Sequence, residues 1–207
     1  MSQTRVVRKK QILLYNGEAT VSVYVVRKGI VRAYTLLNNG GEVIIALFGP
    51  GDFFPINFDQ SKAPVSLFYY ETMDEVTIET FTVAEFMSYK QDLTTDDEDS
   101  ARRYLTSLLH INALVQMTSL ERLCHTLRYL GLRFGTPLVG KMYSRIDVKL
   151  TQQDLANLCN MSRETTNIEL GKLKNRKIVT ENAKIYSVNM RELNKFIDDE
   201  IDENLSI

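Results

Sequence analysis

Residues 151–179 read TQQDLANLCNMSRETTNIELGKLKNRKIV. Thr151 stands ahead of Asp154 and of the apolar pair Leu155 and Leu158. A hydroxyl at such a position accepts one of the backbone N–H groups that a helix's first turn leaves unpaired, and an acid three residues on returns the bond. Ser162 stands in the same way ahead of Thr165, Ile168 and Leu170, in a stretch that ends near Arg176. Cys159-Asn160-Met161 lies between the two. Two short helices joined by about three residues predict a helix-turn-helix. Such a unit crosses a nucleic-acid backbone with its first helix and lays the N-terminal side chains of its second in the major groove, which is wide enough for a helix. Lys177 to Val188 predicts a hairpin turning at Glu181-Asn182-Ala183, which adds a wing.

Charge follows this module. The whole chain has a net charge of −1, yet residues 136–190 carry nine Lys and Arg against five Asp and Glu, a balance of +4. Residues 191–207 carry two against six, a balance of −4. A basic module is thus hidden by an acidic tail. Within that tail Leu193, Phe196, Ile197 and Ile201 recur at helical spacing, which predicts an amphipathic helix packed on the module. Its acids are expected to tune non-specific DNA binding by repulsion.

Other chemistries find no residues to carry them. There is no Gly-rich phosphate loop, no G-x-S-x-G and no H-E-x-x-H, so no enzyme is predicted. Cys124, Cys159, His110 and His125 form no C-x-x-C or H-x-x-x-H cluster, so no zinc or other metal site is predicted. The two cysteines read as buried thiols in a reducing cytoplasm, and the histidines as structural. The carboxylate run 96–99 reads as a helix start rather than an acid–base or metal site. The longest apolar run, Val43 to Phe48, falls far short of the roughly 20 residues that span a bilayer. No secretory signal opens the sequence, and a cytoplasmic protein without a membrane partner is expected.

The elements that must position the module come earlier. Residues 6–90 read as strands, with β-branched and aromatic runs at 21–26, 30–34, 42–48 and 76–81. Turn signals stand between them, with Asn39-Gly40-Gly41 as a hairpin. Short strands at regular spacing predict a small barrel or jelly roll. Near residue 92 the period changes. Ala101, Leu105, Leu108, Asn112 and Val115 recur at spacings of 4, 3, 4 and 3, a coiled-coil seam. An amphipathic helix on its own core has the same pattern; Asn112 on the seam favours a pair of helices. Tyr104, Ile111 and Leu114 fall off the seam, on the side expected to pack back on the barrel. Thr118-Ser119-Leu120-Glu121 is a capping box, so one helix ends near Met117 and a second runs over 119–134, stopping at Gly135 and Pro137. A jointed helix there suits the transmission of a conformational change.

Ser162-Arg163-Glu164-Thr165, set after Thr151-Gln152-Gln153-Asp154-Leu155-Ala156, resembles the cyclic-AMP receptor/FNR (Crp/Fnr) superfamily of bacterial transcription regulators. Glycines in Val26-Arg27-Lys28-Gly29-Ile30-Val31 and Gly49-Pro50-Gly51-Asp52-Phe53 match its barrel. The resemblance covers nearly the whole chain. It implies an α+β fold: a jelly-roll β-roll like those that bind cyclic nucleotides over 1–92, a dimerisation helix over 93–117 and a winged helix-turn-helix with an acidic C-terminal helix over 118–207. It implies a homodimer that reads palindromic double-stranded DNA through the helix 162–176 and works with RNA polymerase. Ala101, Leu105, Leu108, Asn112 and Val115 would form the dimer seam. Arg163 would pair with a guanine edge and Glu164 would accept from cytosine, with Asn167 and Ile168 completing the base-reading set. Thr151, Gln153, Ser162, Thr165, Asn182 and Lys184 would meet phosphates. One position departs from the family: where a base-contacting arginine is usual, this chain has Ile168, which can touch a thymine methyl but cannot donate to guanine.

The effector is less legible. Cyclic-nucleotide-binding members carry a Gly-Glu pair and then an Arg-Ser or Arg-Thr pair in the barrel. Here Pro55-Ile56-Asn57 and Lys62-Ala63-Pro64-Val65-Ser66-Leu67 stand instead, so cyclic AMP is not expected. A buried phosphate without a cation is costly. No cysteine precedes Cys124, which disfavours the family's iron–sulfur cluster, and no barrel histidine is present to ligate haem. Phe53, Phe54, Phe58, Phe68, Tyr69 and Tyr70 suit either an apolar ligand or core packing. The effector is left unknown. A second reading keeps the barrel as a sensor that regulates a protein partner, with the helix-turn-helix as a contact surface only.

Overall fold

A computed structural model describes residues 3–57, 65–92, 97–139 and 142–205, and side chains at 3–57, 65–89, 103–139 and 142–198. The chain forms two compact units, Met1–Asp96 and Asp97–Ile207. The segment 93–117, expected as a division of its own, is thereby shared between them.

The first unit has eight strands and a closing helix among its described residues: β1 (Gln3–Val7), β2 (Ile12–Leu14), β3 (Ser22–Lys28), β4 (Val31–Leu36), β5 (Glu42–Phe48), β6 (Phe53–Phe54), β7 (Tyr69–Thr72), β8 (Val76–Thr82) and α1 (Val83–Asp92). The strands make two antiparallel sheets, ordered β1-β8-β3-β6 and β2-β7-β4-β5. Alternation sends Val26, Phe54, Val76 and Ile78 from the first sheet, and Leu14, Val31, Ala33 and Tyr70 from the second, into one core. On the other side of β3 and β8, Val23, Val25 and Phe81 bury Phe86 of α1. Gly29 turns β3 into β4 at φ +83°, where a Cβ would stand 2.6 Å from the Glu75 carbonyl oxygen, so only glycine fits.

α1 lies within the stretch read as strands and corrects that reading. A capping box starts it: Glu85 N donates to Thr82 Oγ1 at 3.2 Å, and Thr82 N donates to Glu85 Oε2 at 3.0 Å.

The second unit contains α2 (Asp97–Leu114), α3 (Ser119–Phe134), β9 (Gly135–Pro137), β10 (Ser144–Ile146), α4 (Gln152–Cys159), α5 (Arg163–Asn175), β11 (Val179–Asn182), β12 (Ile185–Val188) and α6 (Met190–Leu205). The break falls where Thr118 and Glu121 predict it, with both bonds of the box present. Gly135 ends α3 in an extended conformation, not the left-handed one common at helix C-termini. Its reason is closeness: a Cβ there would lie 2.1 Å from the Gly131 carbonyl oxygen. Strands β9 and β10, which the sequence pattern does not reveal, extend the wing into a sheet ordered β11-β12-β10-β9. The wing turns at Ala183 and Lys184, both at positive φ, one residue later than expected. Leu193, Phe196 and Ile197 of α6 are buried, as its spacing predicts. No helix among the described residues is long and apolar enough to cross a membrane.

Candidate nucleic-acid interface

α4 is fixed at both ends by its own sequence. Thr151 Oγ1 accepts Asp154 N at 3.1 Å, and Asp154 Oδ2 accepts Thr151 N at 2.8 Å. At the other end Asn160 takes the left-handed conformation and its N–H donates to the Ala156 carbonyl. Asparagine tolerates that conformation better than most residues with a Cβ. Leu155, Ala156, Leu158 and Cys159 fill the core beneath. Burial pushes the Cys159 thiol up to about 12, so it stays protonated there.

Asn160 and Met161 bring the chain to Ser162, which caps α5. Thr165 N donates to Ser162 Oγ at 3.0 Å, and Thr166 Oγ1 donates to the Ser162 carbonyl at 2.9 Å. Thr166, Glu169, Leu170 and Leu173 form the buried face of α5. The opposite face carries Arg163 and Glu164 in the first turn and Ile168 one turn on, all exposed, with Ile168 at 63%. Asn167 is half-buried, and its Oδ1 is buried without a hydrogen-bond partner.

The residues expected to meet phosphate differ in how free they are. Ser162 and Thr165 hydroxyls lie 2.9 Å apart and exposed. Thr151 Oγ1 already donates to Asp154 Oδ2 at 2.6 Å, and Gln153 Nε2 donates to Asn157 Oδ1 at 2.8 Å. Asn182 and Lys184 are exposed on the wing turn, and the Lys184 carbonyl accepts Leu150 N at 2.9 Å, joining the wing to the start of α4. Among the described basic residues Arg145, Lys172 and Lys174 are held in ion pairs with Asp147, Glu169 and Glu181. The Arg176 guanidinium sits over the Phe196 ring at 4.6 Å and docks α6 on the end of α5.

On α2, Thr106, His110 and Ala113 are buried, and the His110 ring lies tilted against that of Tyr129 of α3, with centroids 4.7 Å apart. The other side is open. Leu105 (59%), Leu108 and Val115 of the seam are exposed, and so are Tyr104 (68%) and Ile111. Ala101 lies on α2 outside the described side chains. Asn112 turns towards α3: its Nδ2 is 3.4 Å from His125 Nδ1, and its Oδ1 accepts Gln116 Nε2 at 3.1 Å. Burial holds His125 below the ordinary histidine value, the Arg128 charge lowers it further and Glu121 opposes both.

The aromatic residues of the barrel are mostly core. Phe54 and Tyr70 are fully buried and stacked at 4.8 Å, and Phe53 packs on Phe86 at 4.8 Å. Phe58 and Lys62 lie outside the described residues. The buried cation Arg32 is held by Glu42 at 2.8 Å and Glu71 at 3.2 Å, so its charge is already met. Asp52 accepts Gly49 N at 2.7 Å and closes the Gly49–Asp52 turn. Among the described residues no group of three His, Cys, Asp or Glu could hold a metal ion.

Residues 4–67 match the family model of the cyclic nucleotide-binding domain, and residues 121–196 match that of the Crp-like helix-turn-helix domain. The chain belongs to the Crp/Fnr family. It is a DNA-binding transcription regulator. Curated Crp/Fnr relatives agree along its length. Regulatory protein HlyX of Actinobacillus pleuropneumoniae is 24% identical over 192 residues, 88% of this chain and 76% of the relative. Regulatory protein CysR of Synechococcus elongatus is 28% identical over 157 residues, 73% of this chain and 68% of the relative. The fold is that of FixK2 from Bradyrhizobium japonicum, with a TM-score of 0.72, 19% identity and coverage of 94% and 96% of the two chains.

Proposed function

We propose that this Crp/Fnr regulator reads a palindromic DNA site as a homodimer, with α5 in the major groove. The observation that carries the reading is the division of α5 into two faces. Thr166, Leu170 and Leu173 fill the core, while Arg163, Glu164 and Ile168 stand uncovered together. Arg163 pairs with a guanine edge, Glu164 accepts from cytosine, and Ile168 packs on a thymine methyl where an arginine would select guanine. Asn167, half-buried, reaches the groove only by turning its amide outward. Ser162, Thr165, Asn182 and Lys184 hold the phosphates; Thr151 and Gln153 join them by exchanging their present partners. Leu105, Leu108, Asn112 and Val115, with Ala101, form the dimer seam, which Tyr104 and Ile111 broaden.

The barrel's effector, on this reading, is not a cyclic nucleotide. Arg32 is neutralised by two carboxylates, and Phe48, Phe54 and Tyr70 are packed into the core between the sheets. Residues 1–96 hold neither cysteine nor histidine, so an iron–sulfur cluster and a haem bound there are disfavoured as well. The protein works in the cytoplasm, by binding rather than catalysis, and RNA polymerase is its partner at the promoter.

The test is duplex binding against salt. Affinity should fall steeply as salt rises. Arg163→Ala should lose roughly 1–3 kcal/mol on the preferred site, and little on mixed-sequence duplex. Equal losses on both duplexes would remove Arg163 from base reading. A protein-regulating module would bind neither duplex.

A further inference from the structure

We propose that Glu169 is a positioning residue that tethers the DNA-reading helix to the joint between α2 and α3. The inference rests on the DNA-reading proposal and adds what holds α5 in place. Glu169 lies on the buried face of α5, beside Leu170 and one turn after Thr166. It is 7% exposed. Its Oε1 accepts Ser119 Oγ at 3.2 Å, and its Oε2 lies 2.7 Å from Lys172 Nζ.

A carboxylate taken out of water is costly to keep, even when paired. An apolar side chain of similar size at 169 would continue the Leu170 and Leu173 contacts without that cost. Packing therefore does not require an acid here. What the acid adds is direction. Apolar burial is non-directional and resists the sliding of one helix on another only weakly. A hydrogen bond ties one point on α5 to one point on α3.

That point on α3 is its first residue. Ser119 follows Thr118, whose capping box with Glu121 restarts the helix after α2 ends at Leu114. The bond thus runs from the buried side of the recognition helix to the joint itself. A homodimer reading a palindrome needs its two recognition helices about one DNA turn apart, roughly 34–36 Å. In the proposed dimer α2 sets the axis, so α5 must hold its position relative to the joint. The Ser119–Glu169 bond does this, and Lys172 covers the carboxylate's other oxygen from the exposed side.

Ser119→Ala, Ser119→Thr and Glu169→Gln would be compared with the wild type as full chains. Binding is read on the preferred palindrome, on that palindrome with one base pair inserted at its centre, and on mixed-sequence duplex, beside the thermal midpoint. Ser119→Ala should weaken palindrome binding by roughly five-fold, and reduce the preference over the respaced site. Its mixed-sequence binding should stay at the wild-type value, and its midpoint should fall only by the few degrees that one lost hydrogen bond costs. Ser119→Thr, which restores the hydroxyl, should behave as wild type. Glu169→Gln, which keeps the acceptor and loses the charge, should keep most of the spacing preference; if it fails to fold, Ser119→Ala still decides. The inference is overturned if Ser119→Ala matches wild type on every duplex. It is overturned too if palindrome and mixed-sequence binding fall together with the midpoint, because the bond then serves stability alone. A wild type that prefers no site would remove the DNA-reading proposal itself, a result seen before any variant is compared.

Discussion

Ser162 and Thr165 close the first turn of α5 with a backbone-to-hydroxyl bond of 3.0 Å, and their hydroxyls lie 2.9 Å apart on the exposed side. Two hydroxyls carry two protons, and only one is spent between them. The other is free to turn outward and donate to a phosphate while the cap stays intact.

The two roles of Ser162 separate by substitution. Ser162→Ala should cost about 1 kcal/mol of stability through the lost cap, and weaken DNA binding whatever the sequence. Ser162→Asp keeps a capping oxygen and sets a negative charge against phosphate. It should hold stability near wild type and lose more affinity than Ser162→Ala. Denaturant titration and duplex binding measure the two effects; if Ser162→Asp binds as well as wild type, no phosphate lies there.

His125 makes the α2–α3 contact sensitive to acid. Its folded-state value lies below the ordinary one because burial and Arg128 disfavour the charged ring. The unfolded chain therefore takes up the proton first. Stability is full above about pH 6.5 and declines as pH falls from there towards the lowered value. His125→Gln, which does not titrate, should flatten that part of the profile of thermal midpoint against pH. An equally steep variant profile would assign the loss to other groups.

Two glycines, one just past the end of α3 and one within α5, predict opposite outcomes. At Gly135 a Cβ would meet the Gly131 carbonyl oxygen at 2.1 Å, whereas at Gly171 it would meet nothing within 4 Å. Gly135→Ala should destabilise by about 2–3 kcal/mol, and Gly171→Ala should stabilise by about 1 kcal/mol. Denaturation midpoints of the two variants decide both signs.

Removing α6 would strip Leu193, Phe196 and Ile197 from the core, so its acids are best tested by neutralisation. Asp198→Asn, Asp199→Asn, Glu200→Gln, Asp202→Asn and Glu203→Gln together should raise mixed-sequence affinity at low salt, and the gain should shrink as salt rises. Unchanged affinity at low salt would show that the tail does not oppose DNA.

What the sequence made legible were features with local causes. Thr151, Thr118 and Ser162 announce their helices because a cap needs only neighbouring residues. The same signal was available at Thr82 and Glu85, but the strand-like run before it obscured α1. Polar β1 (Gln3–Val7) and the short β9 carry no alternation to detect; pairing with β8 and β10 makes them strands. The burial of Glu169 is not legible, since nothing local tells that Ser119, 50 residues earlier, faces it. Gly135 marks the end of α3 in the sequence, but its close approach to Gly131 depends on a geometry that composition does not encode.

Selection of sites from random duplex DNA, with purified protein and no added ligand, tests the central claim most directly. The account predicts a two-fold symmetric motif with half-site centres about one turn apart. It also predicts that Ile168→Arg moves one symmetric pair of positions towards guanine, by roughly 1–3 kcal/mol of discrimination. Enrichment of an unsymmetric motif, or a motif unchanged by Ile168→Arg, would contradict it. So would no enrichment with purified protein and again in cell extract.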